Sequence, residues 1–198
     1  MVEENIILLY KWILNMKYWF SSDHHFGHKN IIEYCSRPFD SIEEMDETLI
    51  NNHNEVVNMD DVIIFAGDFT LIKNKSVVYK KYINRLNGIH IFLSGSHDYW
   101  LKGSNNKQIW EKNLFHNDKK YYIVACHYAM RTWSRSHYNS YQLFGHSHGK
   151  LEVIGKQYDV GVDNNNFFPV SLEQIVEIMK TKPDNPNFIK RKENNNGI

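Results

Sequence analysis

The chain has 198 residues and carries 23 acidic and 23 basic side chains, so its formal net charge is zero. That balance argues against a broad basic face gripping nucleic acid, and the length suits one domain with a core of its own. The two cysteines, Cys35 and Cys126, provide neither a disulfide framework nor a zinc-finger spacing, and point to a reducing cytoplasm.

Residues 1–15 read as an extension ahead of a domain that spans 16–182. Ile6–Leu9 and Trp12–Leu14 are apolar, but Glu3 and Glu4 precede them and Lys11 interrupts them. This pattern lacks the n-region and cleavage site of a secretory signal, and it falls short of the roughly 20 residues that span a bilayer. No membrane partner is expected.

Tyr18–Ser22 then reads as a strand ending at Asp23. Ser41–Val57 reads as a helix, with Ser41 and Glu44 as a capping box and Ile42, Met45, Leu49 and Val56 on one face. Asp61–Phe65 is an apolar strand running into Gly67–Asp68. Ser76–Leu86 is helical and stops at Asn87–Gly88. Ile89–Leu93 is a strand running into Gly95–Asp98. Gln108–Phe115 reads as a short helix, Tyr121–Ala125 as a strand before His127, and Gln142–Phe144 as a strand before Gly145–His148. Lys150–Ile154 and Gln157–Val162 suggest a hairpin around Gly155. Ser171–Lys180 is a closing helix with a Ser171–Gln174 capping box, and 183–198 is a polar tail expected to fray. Strands alternating with helices predict an α/β fold with a largely parallel centre.

Asp23/His25, Asp68, His97, His127 and His146/His148 all follow the carboxyl end of a predicted strand, where ligand sites of open α/β sheets gather. In an extended Asp23-His24-His25 segment, alternate residues would face one side, with His24 on the other. Carboxylate plus imidazole suits Mn, Fe, Zn or Ni rather than a calcium cage or a thiolate zinc site. Each element alone is weak, and a capped or hydrogen-bonded residue is the plain alternative. Their joint order carries the argument.

In that order, Asp23-x-His25, Gly67-Asp68, Gly95-Ser96-His97-Asp98, His127 and Gly145-His146-x-His148 resemble the five motifs of the calcineurin-like metallophosphoesterases. The likeness covers nearly the whole chain after Met16. It is greatest to a small bacterial and phage branch with a long first motif, here Ser22 to Ile32, and it extends to Arg37-Pro38-Phe39 and to Trp133–Gly149. The resemblance implies a four-layer αββα sandwich and two divalent metal ions, manganese first, with Fe, Zn, Ni or Mg as alternatives. Asp23, His25 and His148 would hold the first metal and Asp68 would bridge. His127, His146 and position 96 would hold the second. The family pattern has Asn where this chain has Ser96, a shorter and poorer neutral ligand. A two-metal site ionises water for in-line attack on phosphorus, and His97 would stand at the leaving group. Asp98 is either the residue that holds the His97 tautomer or a structural cap.

The function expected from the resemblance is hydrolysis of a phosphodiester or nucleotide-like phosphate ester. Substrate contacts are expected from His28 and Arg37 after the first motif. Arg131, Trp133 and Arg135 are expected to add more, because cations interleaved with aromatics suit a phosphate carrying a stacking base. Cys126 should face away from the ligands, and His53, His90 and His116 read as ordinary residues. The second reading is a metal-binding member with little turnover, which Ser96 keeps open. A metallo-β-lactamase type of site is the least favoured reading, since that family needs a His-x-His-x-Asp-His run and the His146-x-His148 pair runs into Gly149-Lys150.

Overall fold

The computed structural model describes residues 16–103 and 107–190. In chain order the elements are β1 (Tyr18–Ser21), α1 (Asn30–Tyr34), α2 (Ile42–Val56), β2 (Val62–Phe65), α3 (Lys75–Lys81), β3 (Ile89–Phe92), β4 (Ile109–His116), β5 (Lys119–Cys126), β6 (Tyr141–Phe144), β7 (Gln157–Asp159), β8 (Val170–Ser171) and α4 (Leu172–Thr181). The strands form two mixed sheets, ordered β3-β2-β1-β8 and β4-β5-β6-β7. β1, β2 and β3 run parallel and β8 antiparallel to β1. In the second sheet β5, β6 and β7 run parallel and β4 pairs antiparallel with β5. The fold is therefore α/β with parallel strands at the centre of both sheets.

Strand alternation sorts the apolar side chains into two cores. Trp19, Ile63 and Phe65 face Met45, Leu49 and Ile50 of α2 and Val78 of α3. Phe20, Val62 and Ile64 face the other way and cluster with Trp110, Leu114, Ile123, Ala125 and Leu143 of the second sheet, and with Leu172, Ile175, Val176 and Met179 of α4. Burying each large apolar side chain contributes about 1.5–3 kcal/mol. The outer face of the second sheet is covered by the segment 128–140. There Gln157 Nε2 donates to Met130 O and Gln142 Nε2 to Tyr128 O, while the Arg135 guanidinium lies 4.2 Å over the Tyr122 ring. The two sheets join at one end, where Ser22 bridges Gly161 and Val162 N donates to Ser22 O.

Several sequence expectations change. Gln108–Phe115 is not a helix: Ile109–His116 pairs residue by residue with Lys119–Cys126. Trp110 and Leu114 are buried four residues apart, a spacing that puts them on one face of either a helix or a strand. Two-residue loops with both residues at positive φ match strand twist, and Asn117 (φ 48°) and Asp118 (φ 60°) form such a turn. The hairpin around Gly155 is also absent, because β7 pairs parallel with β6 and 150–154 is not a strand. The short helix α1 was not foreseen. At Ser41 half of the capping box forms: Ser41 Oγ accepts from Glu44 N, but the Glu44 carboxylate accepts from Asp40 N. At Ser171 both halves form. The tail does not fray over 183–190, since Asn185 is buried and donates to Ser136 O and Ser140 O. The extension 1–15 and residues 191–198 lie outside the described residues.

The Asn117–Asp118 turn yields a stability test. Asp118→Gly should stabilise by roughly 0.5 kcal/mol, because glycine adopts positive φ without a Cβ clash. Asp118→Val should destabilise by about 1–2 kcal/mol. Urea unfolding midpoints that are equal for all three proteins would rule out the turn.

Candidate metal centre

Parallel strands put their carboxyl ends on one side, and five of them deliver side chains there: β1 leads to Asp23 and His25, β2 to Asp68, β3 to Ser96 and His97, β5 to His127, and β6 to His146 and His148. Asp23, His25, Asp68, His146 and His148 all have φ between 49° and 68°. Asp23-His24-His25 is therefore not extended. His24 nonetheless points away, stacking on Phe26 at 5.3 Å. Left-handed backbone at non-glycine residues costs about 1–3 kcal/mol each and persists only where surroundings impose it. Here the imposed contacts include Asp23 N donating to Gly67 O and His25 N to Asp68 O, both 3.1 Å. The close approach also requires glycine at 95 and 145. A Cβ on Gly95 would collide with Asp68 Oδ1, and one on Gly145 with Ser22 Oγ and Asp23 Oδ2.

Two sets of metal-type ligands result, each with its ligand atoms mutually within 4.8 Å: Asp23, His25 and His148, and Asp68, His127 and His146. Asp68 stands between them. Its Oδ2 lies 3.8 Å from His25 Nε2 and 3.3 Å from His127 Nε2. Ser96 Oγ donates to the same oxygen at 3.1 Å and His97 N to Oδ1 at 2.9 Å. The His97 imidazole is 39 % exposed, with Nε2 3.9 Å from Asp68 Oδ2. His127 Nδ1 donates to Ala66 O at 3.0 Å, which turns the lone pair of Nε2 inward. His148 Nδ1 donates to Asp163 Oδ2 at 2.7 Å, with the same effect on its Nε2. His127 Nε2 and both ring nitrogens of His25 are buried without a hydrogen-bond partner. Buried polar atoms left without partners are rare and each needs an explanation. His24 Nδ1 and His53 Nδ1, away from the carboxylates, are orphaned too, so it is the orphans converging on Asp68 and Asp23 that point to an ion. Borderline divalent ions fit this donor set.

The electrostatics agree. Burial lifts Asp23 to about 7 despite the pull of His127 and His148, and it lowers His25 to about 3 against the attraction of Asp68. Burial also opposes ionisation of Asp68, but the neighbouring His127 and the His97 N–H hold it well below the usual carboxylate range. His127 is raised in turn: burial works against its charge, and Asp68 and Asp23 outweigh it.

Other expected residues have different work. Asp98 does not touch the His97 ring. Its buried carboxylate accepts from Asp68 N (2.7 Å), Gly95 N (2.8 Å), Phe69 N (2.9 Å) and Trp100 Nε1 (3.1 Å), so it ties the β2 and β3 loops together. Arg37 is no substrate contact, because its side chain is fully buried against Asp163 and backbone carbonyls. Trp133 is buried and donates to Ser140 O, and Arg135 is committed to the Tyr122 ring. Arg131 is exposed on the same segment, and His28 sits at the rim, its ring 5.6 Å from that of His25. Cys126 faces away as expected, with Sγ donating to Tyr128 O.

Sequence reasoning missed Asp163, Asp159 and Tyr128. Asp163 follows β7 and is the carboxylate behind His148, while Asp159 accepts from Ser147 Oγ, Gly149 N and Gly161 N. For Asp163 the available signal was its place directly after the expected strand Gln157–Val162, whereas Asp159 lies inside β7 and carries no such signal. Tyr128 is 50 % exposed with its ring 4.8 Å from both His127 and His146. Cys35 also lies near His148 and Asp163, but both Asp163 oxygens are already engaged by Arg37 and His148.

No family model matches the chain. Uncharacterized protein MJ1445 from Methanocaldococcus jannaschii is 34% identical over 176 residues, which cover 83% of this chain and 92% of that protein. Gene 66 protein of Mycobacterium phage L5 is 33% identical over 81 residues, 40% of this chain and 39% of the phage protein. The crystal structure of AQ665, a protein of unknown function from Aquifex aeolicus, superposes with a TM-score of 0.61 at 23% identity, covering 83% of this chain and all of that one. This last likeness shows a shared fold.

The contacts of Asp98 predict a stability defect rather than a selective loss of chemistry. Asp98→Asn turns an amide towards buried N–H donors and should cost about 3 kcal/mol. That corresponds to a fall of about 6–12 °C in thermal midpoint for a domain of this size. An unchanged midpoint with lost activity would return Asp98 to a catalytic role.

Proposed function

The chain belongs to the family of the Methanocaldococcus jannaschii protein MJ1445, and we propose that it is a metal-dependent phosphoesterase acting on a phosphodiester or nucleotide-like ester. One observation carries this reading: a buried carboxylate, Asp68, stands between two sets of inward-facing imidazoles whose ring nitrogens include orphans. The proposal includes the calcineurin-like assignment, with segment 128–140 in the place of the outermost layer of an αββα arrangement. It also includes a reducing, cytoplasmic setting, in keeping with the free thiols Cys35 and Cys126. Among the described residues no helix is long and apolar enough to cross a membrane.

In this reading Asp23, His25 and His148 hold one divalent ion, His127 and His146 the other, and Asp68 serves both. Such a pair supplies Lewis acidity towards phosphoryl oxygens and lowers the pKa of water. The protein's own groups do the rest. His127 and His148 keep their Nε2 lone pairs free because Ala66 O and Asp163 hold their Nδ1 protons. His97, half-exposed beside Asp68, gives its ring proton to the departing oxygen. His28 and Arg131 remain for the phosphate, and the exposed Tyr128 ring offers the stacking surface that the sequence assigned to Trp133.

His97→Ala should leave metal content unchanged and slow turnover of a chromogenic phosphodiester with Mn by about 10²–10⁴-fold, the usual worth of a proton-transfer group. Elemental analysis on both proteins decides it. Loss of metal along with activity would make His97 a ligand, and absence of any transition metal in the parent protein would sink the site.

Ser96 favours a second reading, a binder with little turnover, because its hydroxyl directs a proton at Asp68 and presents no carbonyl oxygen. The two readings part on one variant. Ser96→Asn should tighten the second ion and raise turnover at low Mn, by about tenfold for each 1.4 kcal/mol gained, and the curves should converge at high Mn. Superimposable curves would remove position 96 from the metal.

A further inference from the structure

We infer that the buried Arg37–Asp163 pair is a positioning device for the first ligand set, Asp23, His25 and His148, and that Asp68 and His127 of the second set are supported independently of it. The inference rests on the metal-site reading above. A guanidinium has five N–H donors in a rigid plane, and all five of Arg37 have acceptors. Nε donates to Asp163 Oδ1 and Nη2 to Asp163 Oδ2, both at 2.8 Å. Nη2 also donates to Asp23 O at 2.7 Å. Nη1 donates to His24 O at 2.9 Å and to Met45 Sδ at 3.3 Å.

These partners are not a random selection of nearby atoms. The two carbonyls belong to the peptide units that join Asp23 to His24 and His24 to His25, and both ligands are in the left-handed region, at φ 59° and 52°. Arg37 thus holds the strained turn that aims Asp23 and His25 into one space. Through Asp163 the same guanidinium reaches His148, since Asp163 Oδ2 accepts from His148 Nδ1 at 2.7 Å. One side chain from after the first motif therefore sets three ligands that arrive from β1 and β6, with a carboxylate that follows β7. Arg37 has no exposed surface to offer a substrate: its side chain is 0 % exposed and that of Asp163 is 8 %.

The second set has other supports. Asp68 is placed by its N–H on Asp98 and by the His97 N–H on its carboxylate. His127 is placed by Ala66 O. Neither touches Arg37, and His146 is linked to the first set only through its N–H on the Asp23 carboxylate. A defect in the pair should therefore fall chiefly on one ion, the other being reached only through the His146–Asp23 contact.

Arg37→Lys keeps a cation beside Asp163 but loses the planar fork, and Asp163→Asn keeps an acceptor for His148 but loses the charge. The metal-free full-length protein and both variants would be titrated with Mn and with Co, reading stoichiometry, affinity and the Co absorption spectrum. Outer partners of metal ligands are typically worth 10–100-fold in affinity. Both variants should weaken one ion by that factor and leave the other in place with its spectrum. Amide hydrogen exchange at Asp23 and His25 should also quicken, while exchange in β4 and β5 stays as in the parent. Unchanged affinity for every ion would overturn the inference. So would equal weakening of two ions with faster exchange throughout, which is the mark of a general folding defect. A parent protein that binds no metal would bring down the metal-site reading instead. The positioning role would then be decided by exchange: faster opening confined to Asp23–His25 supports it, and uniform or unchanged exchange ends it.

Discussion

The structure is organised around the burial of two carboxylates at the carboxyl ends of parallel strands. Asp23 is 0 % exposed and Asp68 is 2 %. An ionised carboxylate taken out of water is costly unless charges and hydrogen bonds meet it, so the loops around each are bent until donors reach it. The His146 N–H points at both oxygens of Asp23. The His97 N–H and the Ser96 hydroxyl point at Asp68. The left-handed turns at ligand positions and the glycines at 95 and 145 are the backbone cost of that convergence.

A further group of buried charged side chains makes the convergence rigid without facing the site. Asp98 joins the loops after β2 and β3. Asp159 joins the β6 loop to the end of β7. Arg37 and Asp163 join the β1 loop to His148. Each is buried because backbone N–H and C=O groups at loop crossings need partners, and a carboxylate or guanidinium satisfies several at once. A charged residue close to a ligand motif is thus as readily a brace as a participant, and here Asp98, Asp159, Arg37 and Asp163 are all braces.

The two sheets meet where the site lies, through the Ser22–Gly161 bridge. Away from that end they are held by nonspecific apolar packing, Phe20 and Ile64 against Ile123 and Leu143 among others. The polar contacts that aim ligand side chains lie at the edge that must hold them to within fractions of an ångström, while other polar braces, such as Asp61 on Trp19 Nε1 and Lys17 N, lie at the opposite strand ends.

Periodicity and punctuation determined most of the elements. The apolar runs of β1, β2 and β6 and the second half of β5 are buried on both faces, β3 only partly, and the Ser171–Gln174 box marks the start of α4. The ligand set was legible for the same reason, because each member directly follows such a run. Tertiary structure decided the rest. Trp110 and Leu114 fit a helix as well as a strand, and only pairing with β5 separates the two. Asp163 lies 126 positions from Arg37, so no local pattern could join them. Whether Arg37, Asp98 and Trp133 faced substrate or core depended on which backbone groups folding would bring beside them. Local sequence sets what a side chain can bond; the packing of distant segments sets what it meets.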